Sequence, residues 1–358
     1  MRALLIVDRL FLQHERAMLA RMAIGLLDDG IETQLIVPDH GQQETTNLGT
    51  LIPQIYYKDR GLSFTLKIRT ANILRELAKN KHQDQWDIVH AFGGQSWTLA
   101  HELAKSLDAA LVLELWRAGL IPRAAQFQKQ TAVPSMFTAP DQSIIKAATD
   151  AGVHLPIQAA PWGILAPSNP RPILQESKGI SIVFQSSGRD KVECTAAFDG
   201  ILDAIQGNQN IHLFVNLHAT QRAALWQRAH KANALNQLTL IDKIEEQRDL
   251  ALNADFLVYP DTVHEHRSFL YEAMGNAMCV IASTAEQSSS LIENQTAAIV
   301  SRPSPTQWSN TLKDLIADPD RARTLGTNAW SHIRDHRKVS THIGATIDAY
   351  SQLLPVQS

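Results

Sequence analysis

Charged side chains that directly follow short apolar runs carry the most chemical information in this chain. The run Ile180 to Gln185 ends in Ser186-Ser187-Gly188-Arg189, with Lys191 two residues on. A run of this length and character reads as a buried strand, so the glycine and both cations stand at its carboxyl end. Small residues let a ligand approach the backbone, and a guanidinium beside them suits an anion. The alternative for Arg189 is a solvated loop cation. The segment from Phe269 reads as a helix whose first amides form another anion-binding end, and it carries Glu272. Ser288 and Ser289 follow the apolar run Met278 to Ala282, and serine amides can also meet a phosphate. His264-Glu265-His266 offers two imidazoles for one ion. Spacing supplies no third or fourth ligand, so neither a metal nor another cofactor is expected.

The elements that must position these residues alternate regularly. In the first half, strands are expected at Arg2 to Val7, Glu32 to Val37, Asp87 to Ala91, Ala110 to Leu115, Ser135 to Ala139 and Ile157 to Ala160. Helices are expected at Leu12 to Asp29, Ser63 to Asn80, Trp97 to Ser106 and Asp141 to Ala151. His40 to Gly61 shows the least pattern. Three prolines in Ala166 to Pro172 forbid a helix or a central strand, and the same alternation restarts after them. The second half opens with the strand at Ile180, a helix from Thr195 to Ile205 and a helix around Gln221 to Ala232. It ends in a helical stretch, Thr306 to Leu354, with breaks expected near Pro319 and Gly326. Strand and helix in turn imply parallel sheets covered on both faces, an α/β fold of two Rossmann-like, doubly wound domains with a cleft between them. The expected division is 1–165, a linker at 166–177, 178–335, and a helix at 336–358 returning towards the first domain.

Bulk composition narrows the function classes. At 358 residues with 44% hydrophobic side chains the chain can bury two cores. A net charge of −3 argues against a general nucleic-acid binder. Cys194 and Cys279 are too few for a disulfide framework and point to reduced, buried thiols and a cytoplasmic protein. The apolar start is interrupted by Asp8 and Arg9, and no apolar run approaches the ~18 residues of a membrane span. Peripheral contact with the inner membrane surface stays open.

Three segments together resemble the group 1 family of retaining GT-B glycosyltransferases, the glycogen synthase and mannosyltransferase type. They are Ala254 to Pro260, then Tyr271-Glu272-Ala273-Met274 with the small-residue run to Ser283, and Asp141 to Ile164 as the crossover into the linker. Asp87 to His90 is similar to that family's first-domain strand, and Ala349 to Leu354 to its returning helix. The resemblance implies a nucleotide-diphosphate sugar as donor and a glycan, lipid or small molecule as acceptor. It implies that Arg189 and Lys191 hold the diphosphate and that Glu272 receives the ribose hydroxyls. On the acceptor side His90, Glu15 and Trp116 are the expected contacts, with a structural histidine at a strand end as the alternative for His90 and packing at the domain interface for Trp116.

The donor motifs depart from the family pattern. The first glutamate of the family's pair falls on His264, with Glu265 one residue late, so either could meet the donor sugar as a catalytic group. The family's lysine falls on Cys194. Its glycine-rich turn is replaced by serines around Ser288 and Ser289, and Asp8 to Phe11 stands where its first glycine pair belongs. A GT-B protein that binds a nucleotide, glycan or partner without catalysis is therefore the competing reading. An epimerase or phosphorylase would share the fold, although nothing here resembles the phosphorylases' cofactor lysine. A dinucleotide-binding dehydrogenase lacks its Gly-x-Gly-x-x-Gly after the first strand.

Overall fold

Arg2–Val7 is an interior strand of the first sheet, with five of its six residues fully buried. A side chain enclosed on both faces needs no polar alternate, which is why the strand reads as an apolar run and not as an alternation. In the computed structural model this strand, β1, is joined by β2 (Glu32–Pro38), β3 (Gln54–Tyr57), β4 (Ile88–Phe92), β5 (Ala110–Glu114), β6 (Ser135–Ala139) and β7 (Ile157–Ala159). The order is β3-β2-β1-β4-β5-β6-β7, with every pair parallel. The second sheet comprises β8 (Ile180–Phe184), β9 (Ile211–Asn216), β10 (Leu238–Ile241), β11 (Phe256–Tyr259), β12 (Cys279–Ala282) and β13 (Ala298–Ile299). Its order, β10-β9-β8-β11-β12-β13, repeats the doubly wound pattern. The structure describes residues 1–39, 51–59, 65–79, 85–176, 178–241, 248–261, 268–283, 288–301 and 304–355.

The chain forms two units, Met1–Gly163 with Val339–Ser358, and Ile164–Lys338. In unit 1 the helix Val339–Leu353 packs on the helix Arg9–Asp28 and on β5, β6 and β7. In unit 2 the helices Lys191–Ile205 and Pro305–Ala317 cover one face of the sheet, with Phe184, Phe198, Leu213 and Trp308 in the core. The proline segment lies on unit 2, where the Trp330 indole donates to the Pro167 carbonyl at 2.8 Å.

Several elements differ from expectation. β3 lies inside the unpatterned stretch; its Ile55 and Tyr57 are buried while Tyr56 is 39% exposed, an edge-strand alternation too short to stand out. The helix Ile121–Phe127 is additional. The helix expected from Thr195 starts at Lys191, because Asp190 caps it by accepting the Glu193 amide at 3.1 Å. Around Gln221 there are two helices, Leu217–Ala223 and Leu225–Lys231, separated by Ala224 at φ 54°. Gly326 does not break its helix, which runs from Pro319 to His336. A Cβ there would stand 2.2 Å from the Ala277 carbonyl oxygen, so the glycine serves close packing.

Candidate functional site

In a doubly wound sheet the crevice for a ligand opens where the strand order reverses, beyond the carboxyl ends. In unit 2 this point lies between β8 and β11. Pairing of Phe184 with Val258 brings the loop after β8 beside Pro260 and Asp261. Asp261, 2% exposed, accepts the Ser186 hydroxyl at 2.6 Å and the Ser187 amide at 2.8 and 3.0 Å through its two oxygens. The Ser186 hydroxyl oxygen in turn accepts the Gly188 amide at 3.0 Å. Gly188 turns at φ 65°, and a Cβ on it would stand 3.0 Å from the Ala219 Cα, so this turn requires glycine. Arg222 donates to the Ser187 carbonyl at 2.7 Å and holds the loop from the other side.

Arg189 follows this buried turn and is exposed. Its amide donates to the Ser187 hydroxyl at 3.3 Å. Lys191, also exposed, is the first residue of the next helix. Cys194, where the resemblance would put a lysine, faces the core instead. Burial pushes its thiol up to about 11, so no charge stands at that position near neutral pH. Cys279 is likewise buried, with its thiol pushed up to about 12.

Glu272 lies on the fully buried helix Ser268–Gly275 and is itself 6% exposed. One of its oxygens is held in a short ion pair with Arg248, whose other end donates to the Ser268 hydroxyl at 2.6 Å. The pairing offsets the cost of burying the carboxylate, which for an isolated charge is several kcal/mol. Next to it, the Tyr271 hydroxyl and Ser288 lie 3.1 Å apart. The guanidinium carbon of buried Arg337 sits 3.7 Å from the Tyr271 ring centroid, and its Nε donates to Ser290 at 2.9 Å. Ser288 is therefore buried among these groups, whereas Ser289 is exposed on the turn. His264 and Glu265 lie outside the described residues, as does His266.

The side chains expected on the acceptor side are all interior to unit 1: His90 and Glu15 are 0% exposed and Trp116 is 1%. His90 lies within β4, not beyond it. Its Nδ1 meets the Tyr350 hydroxyl at 2.9 Å, and Glu114 accepts from the Trp162 indole at 2.8 Å and from Thr138. Burial lowers the His90 pKa, and the Glu114 carboxylate opposes that only in part. The group fastens the last helix to the sheet. Glu15 sits at a kink in the helix Arg9–Asp28, and Trp116 packs edge-on against Phe11 with centroids 5.4 Å apart.

Sequence reasoning missed Arg248, Arg337, Arg222 and Asp261. Only Asp261 had a local signal, an acid directly after the proline that ends β11. The arginines come from distant segments and meet the site only through folding.

Neither the known family models nor the curated proteins give a match to this sequence. Solved structures do. Anabaena HepE, crystallised with UDP and glucose, shares 14% identity at a TM-score of 0.73, covering 98% of this chain and 99% of that one. Sucrose-phosphate synthase from Thermosynechococcus elongatus shares 13% at 0.72, with 99% of each chain covered. A putative UDP-N-acetylglucosamine 2-epimerase from Listeria monocytogenes shares 13% at 0.66, covering 99% of this chain and 97% of that one. Identities this low speak for the fold alone. With its parallel sheets of seven and six strands, this chain is an α/β protein of the GT-B fold.

Proposed function

We propose that this protein moves a sugar from a nucleotide-diphosphate donor to an acceptor, with retention at the anomeric carbon. The observation that carries this reading is the mouth of the second sheet. There the Gly188 turn presents exposed Arg189, and Lys191 opens the following helix. As the glycosidic bond to the donor breaks, the electron pair moves onto the leaving diphosphate, and fixed cations beside that oxygen lower the barrier. Glu272, oriented by Arg248, is assigned to the ribose, and Ser289 with Ser288 to the phosphate turn. Glu265 or His264 is assigned to the donor sugar. HepE, which held UDP and glucose over nearly the same chain length, supports a uridine nucleotide as the first donor to try. The two buried thiols support a reducing, cytoplasmic setting.

A second reading, a GT-B protein that binds its ligand without turnover, is favoured by Asp261. Its carboxylate accepts the Ser186 hydroxyl and the Ser187 amide, two donors that a diphosphate would otherwise meet. The neutral Cys194 points the same way. Turnover of UDP-sugars by purified protein separates the two readings. With the wild type active, Arg189→Ala should lower kcat by about 100-fold or more, as loss of a transition-state donor does. Full activity in that variant would defeat the assignment of Arg189. UDP binding without any turnover of a panel of nucleotide sugars would favour the second reading.

A further inference from the structure

Within the turn Ser288–Leu291 only the tip reaches the surface: Ser288, Ser290 and Leu291 are buried, whereas Ser289 is exposed. The turn closes on itself. The Leu291 amide donates to the Ser288 carbonyl at 3.0 Å, and the Ser290 amide donates to the Ser288 hydroxyl oxygen at 3.2 Å. Downstream, the Thr296 hydroxyl donates to the Ser290 carbonyl at 2.6 Å, and its oxygen accepts the Ile292 amide at 2.8 Å. These bonds shape the turn, and two buried side chains from distant segments anchor it.

Tyr271 places its hydroxyl 3.1 Å from that of Ser288. Arg337 donates from Nε to the Ser290 hydroxyl at 2.9 Å, with its guanidinium carbon 3.7 Å from the Tyr271 ring centroid. The two serines that flank the tip are thus each held by one of two side chains that pack on each other. The backbone of each anchor is fixed as well. The Arg337 amide donates to the Ile333 carbonyl at 2.8 Å, and the Arg337 carbonyl accepts the Ile164 amide at 2.8 Å, which ties the two ends of unit 2 together. Tyr271 lies on the buried helix Ser268–Gly275, directly before Glu272. One helix therefore carries both the carboxylate assigned to the ribose and the ring that supports the serine turn. A guanidinium is planar, so it can pack on a ring while its Nε–H points in one fixed direction; an ammonium has no such fork. A loop ordered before its ligand arrives loses less conformational freedom on binding.

We infer that Arg337 and Tyr271 are positioning residues for the donor diphosphate: they fix the Ser288–Leu291 turn so that exposed Ser289 meets a phosphate oxygen without reordering of the chain. This role rests on the assignment of Ser288 and Ser289 to the phosphate in the reading above, and it holds with or without turnover.

The test compares a nucleoside diphosphate with its own nucleoside by titration calorimetry on the full chain, using whichever of UDP, ADP and GDP binds the wild type. Arg337→Lys, Tyr271→Phe and Ser290→Ala should each weaken the diphosphate by about tenfold, the worth of one well-placed hydrogen bond. Each should leave the nucleoside affinity at its wild-type value. Arg337→Lys keeps the positive charge, so its effect reports geometry. Combining Arg337→Lys with Ser290→Ala should weaken the diphosphate no further than either change alone, because both remove the same contact. Equal losses for diphosphate and nucleoside would mark a packing role alone and overturn the inference. A diphosphate preference undiminished in all three variants would overturn it too. If Arg337→Lys does not fold, Tyr271→Phe and Ser290→Ala decide, since each deletes one hydroxyl. A wild type that binds none of the three diphosphates removes the nucleotide reading and this role with it. Wild-type binding with unaltered variants removes only the role of Arg337 and Tyr271.

Discussion

Glu193 shows how a single side chain here carries an electrostatic load away from the proposed chemistry. It is 6% exposed in the first turn of its helix and accepts the Trp308 indole at 3.1 Å. Burial, with a smaller contribution from Asp190, pushes its carboxyl from the ordinary 4.5 up to about 7. A folded value above the unfolded one means that the protonated form stabilises the protein. That contribution is full below about 4.5 and is lost as pH rises through about 7. Glu193→Gln keeps an acceptor for Trp308 and removes the charge. It should therefore raise stability by on the order of 1 kcal/mol at pH 8 and change little at pH 5. Thermal melts of both proteins at the two pH values check this; an identical difference at both would mean that Glu193 is ionised throughout. Arg248 and Glu272 follow the other solution to burial, a mutual neutralisation whose loss on one side strands a charge.

At the scale of elements, glycine positions divide between turns and close contacts. Gly188 shapes the loop after β8 through its φ of 65°, whereas Gly326 lets the helix Pro319–His336 lie against the Ala277 carbonyl. Ala277 itself sits at φ 59°, at the turn into β12, so neither partner can retreat cheaply. Gly326→Ala gains up to about 1 kcal/mol of helix propensity. The backbone clash should outweigh that gain, since overpacking costs roughly 1–3 kcal/mol. The expected outcome is a lower Tm, by about 2–4 °C per kcal/mol lost, for a domain of this size. An unchanged or raised Tm would show that the helix shifts freely. The polar group around His90 plays the corresponding part in unit 1, joining β4, β5, β6 and the last helix through side chains that no single element could satisfy.

For the whole molecule, the two sheets repeat one topology and so offer two strand-order reversals, each with an aspartate at its mouth. In unit 1 Asp8 caps a helix beside a pocket with two arginines. In unit 2 Asp261 holds the serine loop beside Arg189. Among the described residues, no helix is long and apolar enough to cross a membrane. On the proposed function, a uridine nucleotide binds the folded chain and not the unfolded one. UDP at 100 times its Kd should then stabilise the protein by about 2.7 kcal/mol. A thermal shift with UDP in the wild type that shrinks in Arg189→Ala supports the donor assignment. The absence of any shift, with UDP or with adenosine and guanosine diphosphates, would speak against a nucleotide site.

Local pattern and tertiary structure divided the work here along a physical line. The strand Arg2–Val7 was legible to the residue, because burial on both faces of a parallel sheet leaves a nearly unbroken apolar run. The alternation of elements was enough to imply two doubly wound halves, and the Gly188-Arg189 turn stood out as small residues and a cation at the end of an apolar run. The short edge strand Gln54–Tyr57, half-exposed, left too weak a pattern to read. What folding alone decided was the company each charge keeps. Arg248 reaches Glu272 across 24 residues, Asp261 reaches Ser186 across 75, and Tyr350 reaches His90 across 260. Electrostatics and hydrogen bonding depend on distance in space, and sequence spacing encodes that distance only within a turn or two of the same element.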